Sequence, residues 1–196
     1  PNVCVVGVGA VGCELLRLLK EREFPLANLT VLARTSRTLD LDGTSIGVEA
    51  ISPEAFAKQD LVLFAGTEGE KGAAVTFAQK AMDQGAICID NGADFRMDAT
   101  VPLVIPEVNP EDLKTHQNLI ANPNCSTIQM VLALAPLHRS VGIRQVVVST
   151  YQAVSGAGRR AIEDLKTHSR QWLAGGKLSE KQPAFNAVPQ IGPFQE

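Results

Sequence analysis

The chain has 196 residues, of which 45% are hydrophobic and 20% are charged, and its formal net charge is −3. This balance is typical of a folded globular protein and excludes a mostly disordered chain. The slightly acidic charge disfavours nucleic acid or an anionic membrane as a partner held by bulk electrostatics. No apolar run approaches the ~20 residues that a membrane helix needs, and the first residues lack a signal-peptide pattern.

Apolar runs alternate with helical patterns along most of the chain. The predicted strands are short and almost continuously apolar, as in a parallel sheet that is covered on both faces; they are residues 3–8, 29–33, 60–65, 86–90 and 118–121. Helical spacing predicts helices over residues 11–21, 73–84 and 126–139. Residues 34–59 are predicted to be a polar loop. The alternation predicts an α/β fold with a doubly wound parallel sheet.

The pattern changes after the third predicted helix. The remaining predictions are a β-branched strand over residues 145–151, a small-residue turn over residues 154–158 and an amphipathic helix over residues 159–173. We place a domain boundary near residue 127. The second domain, residues 128–196, is too small to close a core by itself.

The four cysteines are scattered without the close spacing of a metal site, and no metal is expected. Cys4 and Cys88 fall inside predicted strands and Cys13 inside a predicted helix, so all three are expected to pack in the core. A disulfide framework is therefore disfavoured, and a reducing cytoplasm is the expected compartment.

A glycine pattern, Gly7-Val8-Gly9-Ala10-Val11-Gly12, follows the first predicted strand and opens the first predicted helix. The first glycine permits a tight bend, the second lets the backbone approach a pyrophosphate, and the third allows close helix–strand packing. The pattern alone can mark no more than a tight turn. Its place between strand and helix favours a dinucleotide site, with Gly7, Gly9, Ala10, Val11 and Gly12 as cofactor-binding residues.

The loop after the second predicted strand indicates which dinucleotide binds. An NAD site expects a carboxylate about 20 positions after the glycines. This loop instead offers two guanidiniums and three hydroxyls, in the order Arg34-Thr35-Ser36-Arg37-Thr38. Because arginine presents a fixed fork of donors to a phosphate, Arg34, Ser36, Arg37 and Thr38 are predicted to bind the 2′-phosphate of NADP. The alternative is a solvated basic loop.

One cysteine stands between a rigid turn and an apolar helix, in Asn122-Pro123-Asn124-Cys125-Ser126-Thr127. Cys125 is expected at or near the N-terminus of the helix, where unpaired N–H groups and the helix dipole favour an anion. This environment favours the thiolate, which is a nucleophile. The N–H groups of the first turn are candidates to stabilise an oxyanion. The alternative is a small buried hydrophobe beside a turn.

These motifs resemble those of the aspartate-semialdehyde dehydrogenase family. The matching stretches are residues 9–12, 89–91, 95–98, 102–109, 122–127, 149–158 and 185–190. The cysteine loop is shared with other phosphorylating aldehyde dehydrogenases, whereas Ser149-Thr150-Tyr151-Gln152-Ala153-Val154-Ser155-Gly156-Ala157-Gly158 is more specific. The chain departs from the family pattern at Val6, at Val8 and over residues 91–94.

The resemblance implies a Rossmann-like NADP-binding domain over residues 1–127, followed by part of an α+β catalytic and dimerisation domain over residues 128–196. It implies reversible, NADP-dependent reductive dephosphorylation of L-aspartyl 4-phosphate to L-aspartate 4-semialdehyde through a cysteine acyl-thioester. This is a step toward lysine, threonine, methionine and isoleucine. A homodimer is implied for full-length members and is doubtful for this chain alone.

The resemblance also implies residue roles around the nucleophile. Cys125 would form the acyl-thioester, Asn124 would orient the reacting carbonyl, and Gln152 would contact the substrate. Arg96 would bind the phosphate group. From the residues alone, Arg96 could instead pair with a neighbouring carboxylate at the surface, Asp94 or Asp98.

Further residues are implied at the cofactor. Ser155 and Gly156 would lie against its nicotinamide half, and Ala65 and Gly66 would approach it from the third buried strand. For Gln152, capping a sheet edge is an equally good interpretation. Competing functions are N-acetyl-γ-glutamyl-phosphate reductase and a non-catalytic NADP-binding module that senses redox state.

Family members continue well beyond a segment like Phe194-Gln195-Glu196, and the chain is expected to be a fragment. That further part carries an acid/base histidine, and none of His116, His138 or His168 matches it by motif. We predict little turnover from residues 1–196 alone. An ordinary dehydrogenase rate in an assay of the purified chain would contradict this.

Overall fold

The computed structural model describes residues 1–66 and 72–189; Gln190 of the last matching stretch and the segment Phe194-Gln195-Glu196 lie outside them. The strands are β1 (Asn2–Val6), β2 (Asn28–Ala33), β3 (Arg37–Leu41), β4 (Thr44–Ala50), β5 (Leu61–Phe64), β6 (Ile87–Asp90) and β7 (Leu119–Ala121). The α-helices are α1 (Ala10–Glu21), α2 (Ala73–Asp83), α3 (Cys125–Val141) and α4 (Arg159–Leu173).

The seven strands form one sheet in the order β3-β4-β2-β1-β5-β6-β7. Every pair from β4 to β7 is parallel, and only β3 runs antiparallel, at the edge. The chain winds away from β1 in both directions, so the strand order reverses beside it. The predicted doubly wound parallel sheet is confirmed, with an antiparallel edge strand added.

Both faces of the sheet are covered, which explains why β1 is apolar along its whole length. Successive side chains of a strand point to opposite faces. On one face Val5 packs in a cluster with Leu16 of α1. On the other face Cys4 and Val6 pack in a cluster with Ala78 of α2. The expected helix–sheet–helix layering follows directly from these contacts.

The predicted polar loop over residues 34–59 is wrong in part, because β3 and β4 form an antiparallel hairpin there. Its tight turn is Asp42-Gly43, with φ of +53° and +79°, as favoured in two-residue hairpins. Arg17 of α1 donates from Nε and Nη2 to the Asp42 carboxylate at 2.6 and 3.1 Å. This hydrogen-bonded guanidinium holds the pKa of Asp42 below its usual range.

The predicted strand over residues 145–151 is also wrong, since residues 142–153 have no regular secondary structure. β-branched residues favour a strand only where a neighbouring strand supplies hydrogen-bond partners. In the part of the chain that the structure describes, no strand pairs with this segment. Val147 and Tyr151 are accordingly 87% and 93% exposed.

Two compact units make up the chain, residues 1–148 and residues 149–196. The first contains the whole sheet with α1, α2 and α3. The second contains a 3-10 turn at residues 154–157 and α4, which confirms the helix predicted over residues 159–173. Inside it, the Trp172 ring lies against Phe185, with centroids 4.6 Å apart. The boundary near residue 127 concerns the domains of the family and stays a prediction.

None of the helices in the described ranges has the length and apolar character needed to span a membrane. Helix α3 is nevertheless rich in apolar residues, and none of its residues is buried. Leu137 and Val141 are among its exposed side chains. The packing of α3 therefore contributes little to the core of the first unit.

Gly12 offers a sharp test of the turn between β1 and α1. A Cβ at Gly12 would lie 1.8 Å from the carbonyl oxygen of Gly7, so Gly12→Ala must push the helix away from the turn. We expect the free energy of unfolding in urea to fall by about 3 kcal/mol. The matched control is Gly47→Ala, because a Cβ at Gly47 meets nothing within 4 Å. Equal losses in the two variants would contradict the prediction.

Candidate active site

The carboxyl ends of the parallel strands are level at one edge of the sheet. The register pairs Val6 with Leu32 and Phe64, Phe64 with Asp90, and Asp90 with Ala121. Predicted site segments follow these ends directly: residues 7–12 after β1, 34–38 after β2, 65–66 after β5 and 122–125 after β7. In open α/β sheets this edge binds ligands, above all where the strand order reverses.

The glycine turn passes very close to the end of β5. Gly7 has φ of +102°, and its N–H donates to the Leu32 carbonyl at 2.8 Å. A Cβ at Gly7 would lie 2.6 Å from the carbonyl oxygen of Ala65 and 2.9 Å from the Cα of Gly66. The structure therefore brings Gly7, Gly12, Ala65 and Gly66 together, as the predicted site requires.

The N-terminus of α1 is open at this turn. Gly9 is the N-cap residue, and among residues 1–66 and 72–189 no side chain caps the first N–H groups and no atom lies within 4 Å of a Cβ built at Gly9. Ala10 and Val11 form the first turn, and Val11 is 46% exposed. Unpaired N–H groups and the helix dipole make such an end a binding site for phosphate groups. The residues present therefore fit the pyrophosphate of a dinucleotide.

The arginine loop lies at the end of β2, the strand next to β1. Arg34, Ser36, Arg37 and Thr38 are all exposed. Ser36 Oγ accepts a hydrogen bond from the Ala50 N–H at 2.9 Å, which leaves its own hydroxyl proton to donate. Arg37 and Thr38 begin β3, and Arg37 Nη1 lies 3.4 Å from Thr35 Oγ1. The loop thus presents cationic and hydroxyl donors beside the glycine turn.

Cys125 is the first residue of α3, as predicted, and it is exposed. Its Sγ lies 4.0 Å from Ser126 Oγ. Asn124 is the N-cap, and its Oδ1 accepts hydrogen bonds from the N–H groups of Ser126 and Thr127 at 3.0 and 3.4 Å. These two N–H groups are therefore occupied by the cap, so the N–H of Cys125 is the remaining first-turn candidate for an oxyanion donor. Asn124 Nδ2 makes no hydrogen bond within residues 1–66 and 72–189.

The other three cysteines are buried, and all four are free thiols. Burial raises the pKa of Cys4 and of Cys88 to about 12. The predicted core positions of Cys4, Cys13 and Cys88 are confirmed. Cys125 is the only exposed cysteine of the four.

Arg96 is half-buried between the ends of β6 and β7. Its Nε donates to the Asn122 carbonyl at 2.9 Å and its Nη2 to the Asn91 carbonyl at 3.0 Å. No ion pair joins it to Asp94 or Asp98 in the described ranges, so the surface-pair alternative is not observed. Nε and Nη2 form one edge of the planar guanidinium. The opposite edge, with Nη1, has no protein partner among the residues described.

Sequence reasoning gave no role to the side chains of Asn91 and Asn122, which join the same two strand ends. Asn122 Nδ2 donates to Asn91 Oδ1 at 2.7 Å, and the Asn122 N–H donates to the Asp90 carbonyl at 2.8 Å. Each asparagine directly follows the last residue of its strand. That position was visible in the sequence, but the pairing of the two strands was not.

The last three predicted site residues lie in the second unit. Gln152 is exposed in an irregular segment, and Ser155 and Gly156 are exposed in the 3-10 turn at residues 154–157. Their roles at the substrate and at the cofactor stay predictions, as does the alternative of an edge cap for Gln152.

Comparison with protein families shows which family has this arrangement of motifs. Residues 2–116 match the family model of the semialdehyde dehydrogenase NAD-binding domain, and residues 134–196 match that of the semialdehyde dehydrogenase dimerisation domain. The chain belongs to the semialdehyde dehydrogenase family. The resemblance stated from its motifs is thereby confirmed, and residues 2–116 are the part that carries the nicotinamide-dinucleotide site.

Individual semialdehyde dehydrogenases agree with this assignment. The chain is 46% identical to aspartate-semialdehyde dehydrogenase of Aquifex aeolicus and 43% identical to that of Bacillus subtilis. The crystal structure of aspartate semialdehyde dehydrogenase II from Vibrio cholerae, complexed with ASA, matches with a TM-score of 0.91 at 39% identity. Each alignment covers 100% of this chain and 60% of the relative. The chain thus spans about three-fifths of the length of these relatives.

Thiol reactivity tests the placement of the semialdehyde dehydrogenase cysteine. We expect iodoacetamide to label Cys125 at least about 100-fold faster than Cys4, Cys13 or Cys88, because those thiols need an opening of the core to react. Peptide mass spectrometry after timed quenching measures the four rates. The control is the chain in concentrated urea, where the rates should converge. Similar rates in the folded chain would remove Cys125 as an activated nucleophile.

Proposed function

We propose that this chain carries the cofactor site and the nucleophile of an NADP-dependent aspartate-semialdehyde dehydrogenase. The reaction is the reversible conversion of L-aspartyl 4-phosphate to L-aspartate 4-semialdehyde with release of phosphate. The observation that carries the proposal is that the open N-terminus of α1 and the exposed Cys125 share one sheet edge. They are three strand steps apart, or about 14 Å, a span that suits an extended dinucleotide.

Cys125 performs the covalent step in this proposal. Its thiolate attacks the acyl carbon of the substrate, the bond from that carbon to the phosphate oxygen breaks, and phosphate leaves with the electron pair. The product is an acyl-thioester on Sγ, so one difficult displacement becomes two easier steps. Asn124 is suited to orient the carbonyl, because its Oδ1 is held by the helix cap and its Nδ2 remains to donate. The N–H of Cys125 is the second candidate donor to the oxyanion.

The cofactor residues divide between two phosphate groups. Gly7, Gly9, Ala10, Val11 and Gly12 would hold the pyrophosphate at the N-terminus of α1, beside Ala65 and Gly66. The exposed donors of Arg34, Ser36, Arg37 and Thr38 would hold the 2′-phosphate. When bound, the nicotinamide supplies the hydride that converts the thioester to the aldehyde. Ser155 and Gly156 of the second unit are proposed to lie against that half of the cofactor.

Arg96 is proposed to bind the phosphate of the substrate. Its Nε–Nη2 edge is hydrogen-bonded to protein carbonyls, while its outer edge is available for two parallel bonds to phosphate oxygens. Such a fixed fork positions the phosphate as well as attracting it. Gln152 is proposed to contact the remainder of the substrate.

The family also suggests a compartment, a pathway and an oligomeric state for this protein. A cytoplasmic enzyme on the route to lysine, threonine, methionine and isoleucine is proposed. A homodimer is proposed for full-length members of the family, because residues 134–196 match the family model of the dimerisation domain. The names of the curated relatives favour aspartate over the acetylated glutamate substrate of the competing reductase.

Cofactor preference tests the 2′-phosphate site without turnover. We expect residues 1–196 to bind NADPH at least about tenfold more tightly than NADH in a fluorescence titration, and Arg37→Ala to remove most of this difference. The loss should fall on NADPH, since NADH lacks the phosphate that the guanidinium binds. Arg22→Ala is the matched control, because Arg22 lies at the opposite end of α1. Equal affinities for the two cofactors in the unaltered chain would overturn the NADP assignment.

Substrate oxidation tests the reaction itself, in the longest protein that the reading frame encodes. We expect aspartate semialdehyde, phosphate and NADP+ to yield NADPH, and Cys125→Ser to abolish the rate, because its hydroxyl is a much weaker nucleophile. Cys88→Ala, with its buried thiol removed, should retain most of the activity. Faster oxidation of N-acetyl-glutamate semialdehyde would favour the competing reductase, and no oxidation of either substrate would favour the redox-sensing module.

A further inference from the structure

The ends of β6 and β7 are tied together beyond the sheet. Asp90 pairs with Ala121 in the last register position. One residue further on, the Asn122 N–H still donates to the Asp90 carbonyl at 2.8 Å. The Asn122 side chain then donates to Asn91 Oδ1 at 2.7 Å. A cross-strand bond of this kind fixes the separation of the two loops that follow.

Arg96 also connects the two loops that follow β6 and β7. It donates to the main-chain carbonyls of Asn122 and Asn91, at 2.9 and 3.0 Å. Two bonds from one edge of a planar group determine both its position and the orientation of its plane. The positions of these two carbonyls therefore determine the direction of the outer edge of the guanidinium. Their spacing is held by the main-chain bond from Asn122 to Asp90 and by the side-chain bond between the asparagines.

Asn122 is also part of the loop that carries the nucleophile. It lies three residues before Cys125, with the rigid Pro123 and the capping Asn124 between them. A shift of Asn122 would move the arginine through its carbonyl and the cysteine through the chain. The position of Asn122 thus affects both the guanidinium of Arg96 and the thiol of Cys125, which the proposed reaction needs.

We propose that the side-chain hydrogen bond between Asn122 and Asn91 positions Arg96 relative to Cys125, so that both asparagines are positioning residues for the acyl-phosphate site. This inference rests on the proposed function, in which Arg96 binds phosphate and Cys125 is the nucleophile. Neither asparagine side chain needs to touch the substrate. Their role is to hold the fork of Arg96 at a fixed distance from the thiol.

Charge-selective labelling measures this arrangement in residues 1–196. Iodoacetate carries a carboxylate and iodoacetamide does not, so the ratio of their rates at Cys125 reports a cation held near the thiol. We expect Asn91→Ala and Asn122→Ala each to lower this ratio about fivefold. Since both changes remove the same bond, the double variant should match the single ones. Inorganic phosphate should slow iodoacetate labelling of the unaltered chain and have much less effect on the two variants.

Two controls separate the possible outcomes. Asn28→Ala removes the amide pair of Asn28 with Asn2, 2.9 Å long, at the opposite end of the sheet, and should leave the ratio unchanged. Arg96→Gln should lower the ratio as far as any variant.

If Asn122→Ala keeps the normal ratio while Arg96→Gln lowers it, the positioning role is overturned and the proposed function stands. If Arg96→Gln keeps the normal ratio, the phosphate role of Arg96 fails and the positioning role fails with it. A fall in Asn28→Ala equal to that in Asn122→Ala would also overturn the inference.

Discussion

The close approach of the β1–α1 turn to the end of β5 is the constraint on which the site depends. There is no room for a side chain at Gly7 or Gly12, where a Cβ would lie within 2.6 and 1.8 Å of main-chain oxygens. Because the turn fits so tightly, the first N–H groups of α1 lie at the sheet edge, and no side chain in the described part of the chain caps them. In the proposed function, the backbone alone would therefore build the pyrophosphate site, and the side chains of the neighbouring loop would select NADP.

Parallel register extends this arrangement across the sheet. Because β5, β6 and β7 end level with β1, the loops after them line one edge. Helix α3 begins at that edge with an asparagine cap, and the cap determines which donors remain there. Asn124 occupies the N–H groups of Ser126 and Thr127. Among the residues described, its own Nδ2 and the N–H of Cys125 are the donors left there, and the proposed function assigns both to the substrate. An N–H group of this first turn that binds the cap is no longer available to a substrate.

Much of this could be predicted from the sequence, because strongly local signals carry it. Continuous apolar runs located β1, β2, β5, β6 and β7, and the Pro123-Asn124 turn located the start of α3. The hairpin of β3 and β4 was missed although Asp42-Gly43 is a known turn signal, since its flanking residues are mostly polar. The strand over residues 145–151 was wrong because β-branched residues need a partner strand. The Asn91–Asn122 bond depends on which strands are neighbours, and no local pattern encodes that.

The divided use of Arg96 has a consequence for how this position can change in evolution. One edge of the guanidinium holds two loop carbonyls, and the other edge meets no partner among the residues described. A lysine would keep the positive charge but has a single nitrogen, so it could not serve both sides at once. A glutamine could hold the carbonyls but would carry no charge. If Arg96 binds phosphate as proposed, its replacement requires simultaneous changes in both loops, so a route through single substitutions is costly.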